Sequence, residues 1–306
     1  MKKIVITGGT GYLGAHLVAR LKERYQFVVL TRYPYRYRDS ETVSYEAWDG
    51  VSLLTSYLDG SYAVINLIGE NIGLKPWTAK QKKRILSSRV QAATAIQKSV
   101  EACRIKPSVW IQASATGYYG QLGETGLIYD EGSLKGENSF LADVCEAWEK
   151  PILQTDANIR KVIIRTGLVL SKDSLLMKQL LLPFYLGIAV VPDTGKNSLP
   201  WISLEDELGA IEFLLDSKYL SGIFNLASPC DHSMLDLVQA LKKHKRTWLT
   251  LHLPRWLLDL FFGKEKVKEV VLADQRVAPK ALMNTLFEFK HPKLVQCIAW
   301  CFDKPK

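Results

Sequence analysis

One strand-to-helix junction near the N-terminus constrains this chain more than any other feature. Lys3-Ile4-Val5-Ile6-Thr7 reads as a buried strand and runs straight into Gly8-Gly9-Thr10-Gly11-Tyr12-Leu13-Gly14. Ala15 to Glu23 follows with helical spacing, since Leu13, Leu17 and Leu21 fall on one face. Phe27 to Thr31 is a second strand, which completes a βαβ unit of about thirty residues. The three glycines have separate tasks. Gly8 permits the tight turn, Gly11 lets the backbone approach a pyrophosphate, and Gly14 lets the helix close on the strand. The helix N-terminus adds free N–H groups and a partial positive charge. The expectation is a dinucleotide site that includes Gly8, Thr10, Gly11, Tyr12, Leu13 and Gly14.

The end of the second strand selects the dinucleotide. An Asp or Glu there would accept from a ribose 2′-hydroxyl. This strand ends Val29-Leu30-Thr31-Arg32, with Arg36 and Arg38 close behind and no acid. A guanidinium pairs with a 2′-phosphate in bidentate fashion. Thr31 and Arg32 therefore point to NADP(H).

Further strands are predicted at Ala63–Ile68, Val109–Ala113 and Lys161–Arg165, separated by helices over Thr78–Cys103 and Ser139–Thr155. Alternation of this kind predicts an α/β fold, a Rossmann-type, doubly wound parallel sheet. From about residue 170 prolines interrupt the pattern at Pro183, Pro192, Pro200 and Pro229. We therefore expect a Rossmann domain over 1–170, with later segments returning to its sheet. A smaller C-terminal α/β domain on the substrate side is expected over 171–306. Trp248, Trp256, Phe261 and Phe262 read as core, as a homodimer contact or as an apolar lid.

The chain has 306 residues and is 47% hydrophobic, enough to bury a substantial core. Its formal net charge is +9, and no nucleic-acid motif accompanies the basic clusters, so they read as solvated faces and anion sites. No nucleic-acid or membrane partner is expected. The longest apolar stretch, 175–192, is broken by Lys178, Gln179, Pro183 and Gly187, whereas a span needs ~20 nearly uninterrupted apolar residues. The apolar run behind Lys2-Lys3 is too short for a signal peptide. Cys103, Cys145, Cys230, Cys297 and Cys301 form no metal spacing, so no metal site is expected, and unpatterned thiols suit a reducing cytoplasm.

Several segments together resemble the extended short-chain dehydrogenase/reductase superfamily. The resemblance is greatest to its atypical, sugar-epimerase-related members with a distinctive C-terminal domain. They are Gly8 to Gly14, Asn66 to Ile72, Trp77 with Ser88-Arg89, Ala113 to Gly120, Arg165 to Leu170, Leu182-Pro183-Phe184, Trp201-Ile202, and Gln275 to Val277 with Pro279-Lys280. The match runs over nearly the whole chain, with a family-specific part at about 247–297. The resemblance implies cofactor contacts by Thr31, Arg32, Leu67, Ile68, Gly69, Arg89, Ser114 and Val169. It also implies a small-molecule substrate of nucleotide-sugar type. Two positions depart from the relatives. Arg84 stands where they carry an acid, and Ser203 stands where they carry a histidine.

The wider superfamily uses Ser, Tyr and Lys, with Lys four residues after Tyr so that it lowers the tyrosine pKa. Ser114 stands just past a strand, and Thr116 is a second candidate. The window 139–145, where Tyr-x-x-x-Lys would lie, contains neither residue, and no tyrosine in the chain is followed four positions later by lysine. Two readings remain. Either Tyr118 or Tyr119 replaces the pair, giving an oxidoreductase or epimerase-like isomerase, or the chain is a non-catalytic NADP(H)-binding sensor. Glu124, Asp130, Glu131, Glu137, Glu146 and Glu149 read as solvated acids.

Overall fold

A computed structural model describes residues 1–121 and 126–303. The strands are β1 (Lys2–Thr7), β2 (Tyr25–Thr31), β3 (Val43–Ala47), β4 (Ala63–Asn66), β5 (Val109–Ala115), β6 (Arg160–Thr166), β7 (Leu168–Leu170), β8 (Ile188–Pro192), β9 (Trp201–Ser203), β10 (Gly222–Leu226) and β11 (Leu249–Leu253). The helices are α1 (Tyr12–Leu21), α2 (Thr55–Leu58), α3 (Ala79–Ala102), α4 (Phe140–Gln154), α5 (Leu175–Phe184), α6 (Leu204–Asp216), α7 (Met234–His244), α8 (Arg255–Phe262), α9 (Lys264–Lys266), α10 (Lys280–Met283) and α11 (Leu294–Phe302).

Seven strands form one sheet in the order β10-β6-β5-β4-β1-β2-β3, all parallel. Its strands are apolar on both faces because helices cover both. One face carries Ile4, Ile6, Ile111, Val162 and Ile164 against α1 and α6 residues such as Leu17, Leu21, Leu208 and Ile211. The other carries Val5, Val64, Trp110 and Ile163 against Ala92, Ile96 and Val100 of α3 and Ile152 of α4. Local chemistry sets the helix starts. Thr78 and Ser139 cap α3 and α4 by accepting from Gln81 N and Ala142 N. Strand order reverses between β1 and β4, so a crevice opens at their carboxyl ends.

A second core gathers α5, α7 and α11 around the two-stranded β8–β11 sheet, with Met177, Phe184, Val191, Leu237, Leu241 and Ile298 at its centre. The chain crosses between the cores repeatedly. α6 and β10, which lie beyond residue 170, pack with the large sheet. Trp248, Trp256 and Phe261 are not core, since each is more than two-thirds exposed. Among the described residues, no helix is long and apolar enough to cross a membrane.

Candidate functional site

The glycine turn is fixed by contacts only glycine tolerates. Gly8 has φ +76°, and a Cβ there would lie 2.7 Å from the Leu67 carbonyl carbon. A Cβ on Gly14 would overlap Gly8 O. A Cβ on Gly11 would meet only Gly8 O, at 3.2 Å, and otherwise face the crevice. Gly11 is also the N-cap of α1 and offers no side-chain acceptor to the first-turn N–H groups. A backbone cradle that a side chain would fill suits a pyrophosphate.

Polar side chains brace the strand ends around it. Thr7 Oγ1 donates to Asn66 Oδ1 at 2.7 Å, and Asn66 Nδ2 donates to Gln112 Oε1 at 2.9 Å. All three residues are fully buried. Asn66 Oδ1 also accepts from Ile68 N, which aims the segment after β4 along the crevice.

The crevice is a cleft of about 880 Å³ lined by Gly8, Thr10, Gly11, Thr31, Arg32, Leu67, Ile68 and Gly69, together with Arg36, Trp48, Asp49, Lys75 and Arg84. At its outer end the Arg32 and Arg36 guanidiniums lie over the Tyr33 ring at 5.7 and 4.7 Å. Asp49 turns to its own loop. Hydrogen bonds from the Ser52 side chain and the Ser52 and Val51 N–H groups hold its pKa down to about 2. Arg84 adds a further cation to this wall.

Tyr12, Leu13 and Gly14 stand behind the cleft lining. Leu13 packs on the large core. The Tyr12 hydroxyl meets Ser171 Oγ and donates to Asp173 Oδ1 at 3.0 Å, tying the glycine turn to the segment after β7. Burial pushes the Tyr12 pKa up to about 12. Val169 packs against the large core on β7.

A second cavity of about 150 Å³ lies at the ends of β5 and β6. Its walls include Leu141, Val144, Cys145, Trp148, Leu168 and Leu199, and its polar lining includes Arg89, Thr116, Thr166, Glu269 and Gln275. Arg89 joins the two spaces. Its guanidinium lies where a Cβ on Gly69 would be, at 2.8 Å, and 4.8 Å over the Trp148 ring. Arg89 also donates to the carbonyls of Glu70 and Ile85, each at 3.0 Å. Burial lowers its pKa, with Cys145 and Glu70 opposing weakly.

Leu141 and Cys145, four residues apart on α4, both face this cavity. They lie in the window expected for a Tyr-x-x-x-Lys pair, so an apolar side chain and a thiol take that wall. Burial pushes the Cys145 pKa up to about 11, which leaves the thiol protonated at neutral pH.

Ser114 and Tyr119, the candidates for substrate chemistry, both lie in a buried hydrogen-bonded network. Ser114 is 4% exposed and its hydroxyl donates to Glu149 Oε1 at 2.5 Å. Glu149 is no surface acid: it is 1% exposed and takes Arg165 in a bidentate pair at 2.9 and 2.8 Å. Tyr119 is fully buried; its hydroxyl donates to Asn225 Oδ1 at 2.7 Å and accepts from Arg165 at 3.1 Å. Burial raises the Tyr119 pKa against the pull of Arg165. Burial disfavours the Arg165 charge, but Glu149 reverses that and raises its pKa. Tyr118 remains half-buried, its ring 3.4 Å from the Arg165 guanidinium carbon. Glu131 is a clamp: its carboxylate accepts from the backbone of Asn225 and Ala281. Glu124 lies outside the described residues.

The C-terminal segment roofs the second cavity. Glu269 accepts from Ser139 Oγ, Phe140 N and Leu141 N at 3.0, 2.9 and 2.8 Å, so it caps α4 from a distant part of the chain. Lys266 donates to the carbonyls of Gly73 and Lys75, and Lys82 pairs with Glu265 at 2.6 Å. Ser203 caps α6, and His291 from the C-terminal segment meets its hydroxyl at 3.1 Å. Glu269, Glu207 and His291 carry no local signal in the sequence, because each acts across more than forty residues of chain.

Comparison with known proteins agrees with this architecture. Residues 4–140 match the family described as NAD dependent epimerase/dehydratase, and residues 253–301 match a domain of unknown function, DUF1731. An epimerase family protein of Staphylococcus aureus (strain MRSA252) is 30% identical over 300 residues, covering 96% of this chain and 97% of its own. A crystal structure of human epimerase family protein SDR39U1 with NADPH superposes with a TM-score of 0.87 at 24% identity, over 99% of this chain and 100% of that one. UDP-glucuronic acid 4-epimerase from Bacillus cereus, in complex with UDP-glucuronic acid and NAD, gives a TM-score of 0.77 at 16% identity, over 98% of each chain. The chain belongs to the epimerase family, with the Rossmann-type parallel sheet of the extended short-chain dehydrogenase/reductases and a DUF1731 segment at its C-terminal end.

Proposed function

We propose that the chain binds NADP(H) across the cleft and is an oxidoreductase or epimerase-like isomerase acting on a small substrate in the roofed cavity. The observation that carries this reading is the run of the cleft. It starts at the paired cations Arg32 and Arg36 beyond β2, passes the Gly11 cradle and Leu67–Gly69, and reaches Arg89 at the mouth of the second cavity. The NADPH in the human SDR39U1 structure supports it. Arg32, with Thr31 beside it, would hold the 2′-phosphate, and the first turn of α1 would hold the pyrophosphate. The bound dinucleotide supplies or accepts a hydride.

The chain's own groups then act as follows. Thr116, which lines the cavity, would donate a hydrogen bond to a substrate oxygen in place of Ser114. Arg89 would stabilise negative charge developing on that oxygen, in surroundings whose apolar walls strengthen the interaction. Tyr118, lying on the Arg165 guanidinium beside the cavity-lining Gly117 but not itself part of the lining, would transfer a proton only after its ring turned toward the cavity. Ser114, Glu149, Arg165 and Tyr119 would hold the turn that presents Thr116 and Tyr118. A nucleotide-sugar-like substrate, as bound by the Bacillus cereus epimerase, would require the segment carrying Glu269 and Gln275 to move.

A specific observation favours a second reading, the non-catalytic sensor: Leu141 and Cys145 occupy the cavity wall in the window expected for a proton-transfer pair. One assay separates the two. Protein loaded with NADPH is mixed with pools of carbonyl metabolites while absorbance is followed, then the assay is repeated with Thr116→Ala and Tyr118→Phe. Oxidation that one substitution slows by about 10²–10⁴-fold supports the enzyme. NADPH that no metabolite oxidises, together with a partner that binds only the loaded form, would favour the sensor.

A further inference from the structure

The second core carries an apolar surface that its own packing does not explain. α5 buries Met177, Leu181 and Phe184 against that core. Yet Leu182, Tyr185 and Leu186, on its outer side and in the turn that follows, are each at least 70% exposed, and so is Trp248.

These side chains form one fixed patch. Trp248 Nε1 donates to Leu186 O at 3.1 Å, and Trp248 N donates to Gly187 O at 2.9 Å. The Trp248 indole covers Gly187, whose φ of +73° and lack of a Cβ permit the contact. The Lys245 ammonium lies 5.8 Å from the Tyr185 ring. Lys178 precedes Leu182 by one helical turn, and Arg246 precedes Trp248 by two residues; both are exposed.

The charge around the patch has one sign. Residues 174–192 and 237–258, which build it, contain no Asp or Glu. Of the acids that flank these segments, Asp173 meets Tyr12 and Ser171, Asp259 stands 3.8 Å from Arg255, and Asp193 follows β8 at the end of that strand away from Gly187. Asp236 caps α7, and Asp303 stands 3.5 Å from His244. A second copy of this chain would bring the same cations against themselves, on a molecule of net charge +9. Exposed Trp, Tyr and Leu ringed by Lys and Arg match an anionic lipid interface instead.

We propose that the Leu182–Gly187 turn and Trp248 form a seat for an anionic bilayer surface. The four apolar side chains enter the headgroup region, while Lys178, Lys245 and Arg246 meet lipid phosphates. The chain then lies on the membrane rather than across it, a partner the sequence did not lead us to expect.

The test uses the full chain and sedimentation with vesicles of phosphatidylcholine, either alone or with about one-third phosphatidylglycerol. Two variants accompany it. One carries Leu182→Ser, Tyr185→Ser and Leu186→Ser; the other carries Lys178→Glu, Lys245→Glu and Arg246→Glu. Retained NADPH binding reports their folding. Expected is partition onto the anionic vesicles only, a blue shift of tryptophan emission on binding, and at least about a tenfold loss of partition in each variant. No partition onto anionic vesicles overturns the proposal. So does partition that survives the serine substitutions, which would be charge attraction alone. Self-association of the parent chain that the serine variant abolishes, without lipid binding, assigns the patch to a second copy and overturns it too.

Discussion

At the scale of single residues, three positions give separate tests. Arg32→Ala should weaken NADPH binding by about 1.5–3 kcal/mol, the worth of a hydrogen bond to a charged group, and leave NADH binding unchanged. Equal affinity of the parent chain for the two cofactors in a titration would refute the 2′-phosphate reading. Gly11→Val should abolish NADPH binding while the circular dichroism spectrum stays native, because its side chain would face the crevice and meet only Gly8 O. Glu207 concerns stability. It is fully buried and accepts from Thr166 Oγ1 at 2.9 Å, while its Oε2 has no partner. Burial raises its pKa to about 8, so the folded protein holds a proton that the unfolded chain releases above the ordinary 4.5. Stability from this group is complete below that value. It falls by about 1.4 kcal/mol per pH unit between there and the folded pKa, and levels off above. Glu207→Gln should flatten that slope, with little change in melting temperature at pH 5 and a clear rise at pH 8. Parallel pH profiles for parent and variant would show that Glu207 is ionised in the fold.

At the scale of elements, what the sequence made legible was local. The strand–glycine–helix junction, the capped starts of α3 and α4 and the runs of β5 and β6 are readable because short-range periodicity and caps specify them. β3 and β10 escaped notice, since five-residue strands at the edges carry little pattern of their own. The candidate site divides in the same way. The cleft wall at Gly8–Gly11 and Thr31-Arg32 follows from motif and context, and its wall at Leu67–Gly69 from the family resemblance. The buried contacts of Ser114, Glu149 and Tyr119 do not, because partners such as Asn225 and Arg165 arrive from other strands. The roof over the second cavity is likewise a product of distant contacts. Its latch is Glu269 on the first turn of α4, where a carboxylate also meets the positive end of the helix dipole. Glu269→Ala should cost about 2–3 kcal/mol. It should also raise hydrogen exchange at Phe140 and Leu141 and in the 264–275 segment, with the β1–β2 region unchanged. Unaltered exchange there would mean that Lys266 and Gln275 hold the roof without it.

At the scale of the molecule, the connectivity interleaves the two cores, so they should fold as one unit. β7 and β9 pair with each other, α5 and β8 go to the second core, α6 and β10 return to the large sheet, and α7 and β11 leave again. A chain ended at Leu170 keeps the dinucleotide motif, Arg32, β1–β6 and α1–α4. It loses β10, and so exposes the paired edge of β6. It also loses α6, which covers Ile4, Ile6, Ile111, Val162 and Ile164 with Leu208, Ile211, Leu214 and Leu215. Removing that helix returns those aliphatic side chains to water at about 1.5–3 kcal/mol each. Several such losses exceed the ~5–15 kcal/mol by which whole proteins are stable. Residues 1–170 alone should therefore aggregate or remain unfolded and fail to bind NADPH, although every motif that names the cofactor lies within them. The full chain should melt in one transition, raised by NADPH because the ligand binds only the folded form. The gain is about 2.7 kcal/mol at a hundredfold excess over Kd. Calorimetry of the full chain and gel filtration of the 1–170 fragment make the comparison. Two separate transitions, only one of them shifted by NADPH, or a monomeric fragment that binds NADPH, would show that the large sheet folds without the elements that return to it.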